Sequence, residues 1–216
     1  MEALVLEAKG DIEESEQIYE ELLREHDASD MFILKRLVAL RLSVNDLSGA
    51  IQKLNHYLSM YMSDVDAYGE LADLYLRVCD YRKAAFCVEE MILHDANHPM
   101  YHCKYGDIMY TMEDYRTARK YYAQSVQLLL DAASLDNSDD SDNGGVGHHS
   151  ASKMVLSSMR PVYGLLMSCQ ALATDKTESG GGSAADKKKM NQELMKLAEV
   201  LLIKSGANVN APSILV

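Results

Sequence analysis

The chain of 216 residues has no tryptophan, three prolines, two phenylalanines and twelve glycines. So little proline and glycine argues against the turn-dense chain of a β sandwich or barrel. No apolar run reaches the ~18 residues that a membrane span needs. Cationic side chains are in deficit: 21 Lys and Arg face 33 Asp and Glu, a net charge of −12. That balance excludes nucleic acid as a main partner and peripheral adhesion to anionic lipid, both of which require a basic surface. The four cysteines, Cys79, Cys87, Cys103 and Cys169, form no C-x-x-C pair. Lying in apolar periodic stretches, they are expected to be buried, reduced thiols of a protein that meets no oxidising compartment. The first residues, MEALVLEAKGDIEE, lack the basic and apolar blocks of a signal peptide. The expectation is a soluble chain that is not secreted.

What is abundant is helix-forming and repetitive. Thirteen tyrosines, thirteen methionines and many leucines and alanines favour helix. The stretch DYRKAAFCVEE (80–90) returns as DYRTARKYYAQ (114–124), 34 residues later. Ala50, Ala84 and Ala118 fall at that spacing, each four residues after Asp46, Asp80 and Asp114. Leu54, Val88 and Tyr122 follow the alanines by four, and Leu37-Val38, Leu71-Ala72 and Tyr105-Gly106 precede them in register. A weaker copy begins at Asp11, with Ser15 and Tyr19, preceded by only a short first helix. The first repeat is therefore expected to be incomplete, or its exposed face covered by a partner.

A 34-residue period with a large-small pair, then a small residue, then a large apolar one resembles the tetratricopeptide repeat. The expected fold is all-α, a tetratricopeptide-repeat solenoid of antiparallel helix pairs with about four to five repeats. The small residues Ala50, Ala72, Ala84, Gly106, Ala118 and Gly164 let paired helices approach closely, and the aspartates cap the second helices. Repeats are expected over 1–130. An acidic, Gly/Ser-rich disordered insert is expected over 131–153. A further helix pair follows over 154–204, marked by Tyr163-Gly164, with a flexible linker at 174–185 and a tail at 205–216. The run DKKK (186–189), which precedes the last helix, is read as flexible linker rather than a basic patch.

No catalytic constellation is present: no G-x-S-x-G, no Gly-rich phosphate loop, no H-E-x-x-H. His94, His98 and His102 have helical spacing, but Pro99 interrupts them, so they are not expected to bind metal on one face. His148-His149 falls in the expected insert. The reading is a protein without enzymatic activity, cofactor or metal. What remains is the concave face lined by the first helix of each repeat. Its inward positions carry Phe32, Lys35, Arg36 and Ala39, then Asp66, Glu70, Asp73, Leu76 and Arg77, then Met100, Cys103, Lys104, Asp107 and Tyr110. A face of mixed charge with a few apolar positions suits peptide or partner binding. A carboxylate clamp of the co-chaperone type fits poorly: Lys35 suits it, but Glu70 and Asp73 would repel a carboxylate.

The stretch DVDAYGELADLYLRVCDYRKAAFCVEEMIL (64–93), with YHCKYGDIMYT, ARKYYAQSVQL and MRPVYGLLMS, is more specific than a generic repeat. It resembles the family of subunit 2 of the ER membrane protein complex, over about residues 10–204, in an N-terminally shortened form. The resemblance implies a cytosolic, non-catalytic tetratricopeptide scaffold at the cytoplasmic face of the endoplasmic reticulum. It implies as partners the cytosolic segments of membrane-embedded subunits and a globular cytosolic subunit. It implies a supporting role in inserting tail-anchored and multipass membrane proteins. The alternative is a free tetratricopeptide adaptor or co-chaperone that binds peptides in its groove.

Overall fold

The computed structural model describes residues 2–25, 29–136, 159–174 and 184–204. Among these residues the chain is built from helices and turns alone, in two compact units, Met1–His94 and Asp95–Val216.

The first unit holds three helix pairs: α1 (Glu2–Lys9) with α2 (Ile12–Glu25), α3 (Met31–Ser43) with α4 (Leu47–Met60), and α5 (Val65–Arg77) with α6 (Tyr81–His94). Each helix packs on the next in the chain. Helix α1 has eight residues against thirteen in α3 and α5, a shortened first helix that still pairs with α2. The buried Ser15 hydroxyl donates to the Ala3 carbonyl (3.0 Å), and Ala3, Tyr19, Leu37 and Leu40 form one core.

The repeated aspartate does two jobs in each turn. Before it stands a residue at positive φ: Gly10 (91°), Asn45 (57°), Cys79 (59°) and Glu113 (63°). The N–H of that residue bonds back three residues, and the aspartate's own N–H bonds back five, as Asp80 does to Tyr75 (2.9 Å). This is the Schellman ending of a helix. The same residue then opens the next helix. The Asp46 carboxylate accepts from the Gly49 N–H (2.9 Å), Asp80 from Lys83 (3.3 Å) and Asp114 from Thr117 (3.1 Å). The backbone carbonyl of each accepts from the alanine four residues on. Asp30 and Asp64 cap α3 and α5 in the same way.

The second unit pairs α7 (Pro99–Thr111) with α8 (Tyr115–Asp136), and α9 (Arg160–Thr174) with α10 (Ala184–Lys204). Helix α9 also packs on α7 and α8. His98 opens α7 without a side-chain cap; Pro99, whose missing N–H is no loss there, stands at the helix start. Buried Asn191 of α10 donates to the Cys169 carbonyl (2.9 Å) and accepts from Arg119 of α8 (3.0 Å), holding α10 in place.

Two helix boundaries and the burial of one cysteine differ from the sequence expectation. Helix α8 runs through Asp136, so residues 131–136 are helical and not part of a disordered insert. Leu128 to Ala133 contains only good helix formers plus one aspartate, and nothing there stops the helix. Helix α10 begins at Ala184, so Asp186–Lys189 lies within its first turns and not in a linker. Alanine and lysine propagate a helix as soon as the glycines end. Cys79 is exposed, because it occupies the left-handed turn between α5 and α6, while Cys87, Cys103 and Cys169 are buried. The expected insert beyond 136, the histidines at 148–149, most of the linker and the tail at 205–216 lie outside the described residues.

Candidate interaction surfaces

The structural small positions sit where helices touch. Ala50, Ala72, Ala84 and Ala118 are wholly buried. Gly106 and Gly164 both lie against the ring of Tyr122: a Cβ would stand 2.9 Å from it at Gly106 and 2.3 Å at Gly164. In the first unit the equivalent of Tyr122 is Leu54 or Val88, and the facing positions carry Val38 and Ala72. A larger ring in the second unit requires the removal of two facing side chains.

The groove positions of the first unit divide into neutralised and solvent-exposed. Lys35 Nζ is 2.7 Å from Asp64 Oδ2 and lies over the Tyr57 ring. Tyr57 donates to the same carboxylate oxygen (2.6 Å). Burial alone would raise the Asp64 pKa, but the bonds from Lys35, Tyr57 and the Ala67 N–H outweigh it and hold it at about 2. Arg36 is 2.9 Å from Glu7 of α1. Both cations are therefore neutralised inside the unit. Asp66, Glu70, Asp73 and Arg77 are exposed on α5, and Arg77 donates to Asn45 (3.1 Å). Asp66, Glu70 and Asp73 fall on one face of that helix. Phe32 of α3 is 58% exposed.

In the second unit the expected positions are largely enclosed. Cys103 is buried and lines no open face; burial, reinforced by Asp107, pushes its thiol up to about 12. Lys104 is half-buried, and Tyr110 is half-buried edge-on to Tyr115. Asp107 accepts from the Tyr122 hydroxyl (2.7 Å), and its other oxygen is 2.6 Å from Arg160 at the start of α9. Burial raises the Asp107 pKa, opposed by Tyr122 and Arg160; burial also raises that of Tyr122. Asp107 thus works between α7, α8 and α9.

The three spaced histidines are separated by the helix break: His94 ends α6, His98 stands before α7, and His102 is buried in α7 with Nε2 2.7 Å from the Ala96 carbonyl. Among the described residues no group of His, Cys, Asp or Glu has metal-holding geometry. No described helix is long and apolar enough to cross a membrane.

One feature of the first unit has no counterpart among the expected site residues. A cleft of about 290 Å³ opens between α4, α5 and α6, floored by Leu58, Leu71, Tyr68 and Tyr75, with Phe86, Arg82 and Lys83 at its edge. Each residue reads as ordinary core or surface in one dimension. The one sequence signal was Phe86, an aromatic between the buried positions Ala85 and Cys87.

Comparison with known proteins agrees with this architecture. Residues 1–127 match the family described as the EMC2 TPR-like repeat domain. ER membrane protein complex subunit 2-A of Xenopus laevis is 36% identical over 128 residues, 58% of this chain and 43% of that protein. ER membrane protein complex subunit 2 of Dictyostelium discoideum is 34% identical over 129 residues, 58% of this chain and 40% of that protein. The match thus spans less than half the length of these relatives. Among solved structures, the crystal structure of MamA protein superposes with a TM-score of 0.57 at 12% identity, covering 98% of this chain and 93% of that one, a likeness of fold. With its 34-residue repeat, its capped turns and a match across residues 1–127, the chain belongs to the EMC2 TPR-like repeat domain family.

Proposed function

We propose that this chain is a non-catalytic scaffold subunit of an ER membrane protein complex, held peripherally at the cytoplasmic face by its partners. In this role it grips cytosolic segments of membrane-embedded subunits and a globular cytosolic subunit. It thereby supports insertion of tail-anchored and multipass membrane proteins. The family match supports the class of role. The observation that carries the binding mode is the charge left on the first-helix face of the first unit. Lys35 and Arg36 are neutralised by Asp64 and Glu7, while Asp66 and Glu70 stay exposed on α5. Cytosolic loops of membrane proteins carry an excess of Lys and Arg. An acidic, partly apolar face complements such segments and repels the acidic chain ends that a co-chaperone would take.

The test is velocity sedimentation of detergent-solubilised ER membranes from cells carrying either the wild-type chain or Asp66→Lys/Glu70→Lys. The wild type is expected to move with a large membrane assembly, and the double variant to shift toward free chain while keeping its melting temperature. Unchanged sedimentation of the variant would remove the acidic face from the binding mode. A wild type that migrates alone, or with a soluble chaperone, would favour the free-adaptor reading.

A further inference from the structure

We propose that the cleft between α4, α5 and α6 is a second docking site, for a peptide segment presenting one aromatic side chain beside a carboxylate. The site is separate from the first-helix face: on α5, Tyr68, Leu71 and Tyr75 lie half a turn around from Asp66, Glu70 and Asp73. Its volume of about 290 Å³ corresponds to roughly ten waters at ~30 Å³ each. That is room for one large side chain and part of its backbone, at the lower end of the ~300–1,000 Å³ of ligand pockets.

The lining selects the anchor. Leu58 and Leu71 supply apolar surface, and Tyr68 and Tyr75 supply ring faces. The Tyr75 hydroxyl is already held by the Asn55 amide (3.1 Å) and its ring lies under Lys83, so the floor is pre-organised. Phe86 stands at the edge 56% exposed, one of only two phenylalanines in the chain. Aromatic side chains, phenylalanine included, are enriched at protein interfaces relative to the rest of the surface.

The charge at the edge selects the neighbour of that anchor. Lys83 is paired with Asp80 (2.9 Å), and Glu90 stands near Tyr68. Arg82 is exposed, with Asp80 as its nearby countercharge, and a guanidinium binds a carboxylate in a two-pronged geometry. The chain's net charge of −12 opposes an acidic segment at long range, but at physiological salt that field is screened beyond ~8 Å. Within the cleft the local guanidinium governs.

The chain has no tryptophan, so a tryptophan peptide reports on the cleft without background. The probe is acetyl-Gly-Glu-Trp-Glu-Gly-amide, titrated with the full chain and followed by tryptophan emission; the control replaces both glutamates with lysine. The expected result is a saturable blue shift, with affinity at least tenfold higher for the glutamate peptide. Arg82→Glu and Phe86→Ser should each weaken it tenfold or more while leaving the melting temperature unchanged, because both side chains are exposed. No saturable shift, equal affinity for the lysine peptide, or unchanged binding in both variants overturns the proposal. So does concentration-dependent dimerisation that Phe86→Ser abolishes, which would assign the cleft to a second copy of the chain. The proposal stands apart from the scaffold reading, and either can fail without the other.

Discussion

At the residue scale, Tyr122 shows how a repeat tolerates an outsized core side chain. Its ring occupies the space that a Cβ would need at Gly106 and Gly164, and its hydroxyl reaches Asp107. Gly164→Ala is therefore expected to cost about 1–3 kcal/mol by overpacking. Adding Tyr122→Leu, the residue type at the equivalent position 54, should recover part of that loss. A urea-unfolding double-mutant cycle reads the coupling directly, and strict additivity would contradict the contact. Asp64 gives a pH signature. Its pKa is lowered from 3.8 to about 2, so its stabilisation is present above pH ~4 and is lost as pH falls toward 2. Asp64→Asn should cost about 1–2 kcal/mol at pH 7, allowing for solvent screening, and almost nothing at pH 2. An equal cost at both pH values would mean that the carboxylate's charge is irrelevant. Asp107 has the opposite sign: burial raises its pKa, so its ionised form costs stability as pH rises.

At the element scale, the repeated Asp-Tyr-Arg marks a turn in which one aspartate both ends a helix and begins the next. The capping half of that turn was legible in the sequence, because Asp46, Asp80 and Asp114 recur in register before an apolar stripe. The left-handed half was not. The positions before the aspartates carry Gly10, Asn45, Cys79 and Glu113, and only the glycine and the asparagine are residue types that favour positive φ. Cysteine in that conformation is strained, since its Cβ crowds the carbonyl. Cys79→Gly is expected to raise stability by up to about 1 kcal/mol despite the entropy lost with glycine. Asp80→Ala should lower it by about 1 kcal/mol. Thermal unfolding of the two variants checks both signs, and a destabilising Cys79→Gly would contradict the turn assignment. The helical state of 131–136 and 184–189 was not legible either, because acidic or basic composition masks good helix formers there.

At the scale of the whole molecule, the periodic part of the sequence carried the fold, since each 34-residue copy repeats the same spacing of small and large side chains. The surfaces were less legible. Periodicity places Lys35, Arg36 and Asp107 at groove positions but is blind to Asp64, Glu7 and Arg160, which engage them from other helices. It is equally blind to the α4–α6 cleft, whose lining spans residues 55–87. These tertiary pairings neutralise Lys35 and Arg36 and leave Asp66, Glu70 and Arg77 exposed on α5. The central claim is that the chain serves as a stoichiometric scaffold in a membrane-embedded assembly. The most direct measurement is affinity isolation of the tagged full chain from gently solubilised ER membranes, with co-isolated proteins quantified by mass spectrometry. The account predicts several integral membrane subunits and a globular soluble subunit, each in fixed ratio to the chain. Recovery of a soluble chaperone alone, or of membrane proteins in ratios that vary between preparations, would contradict it.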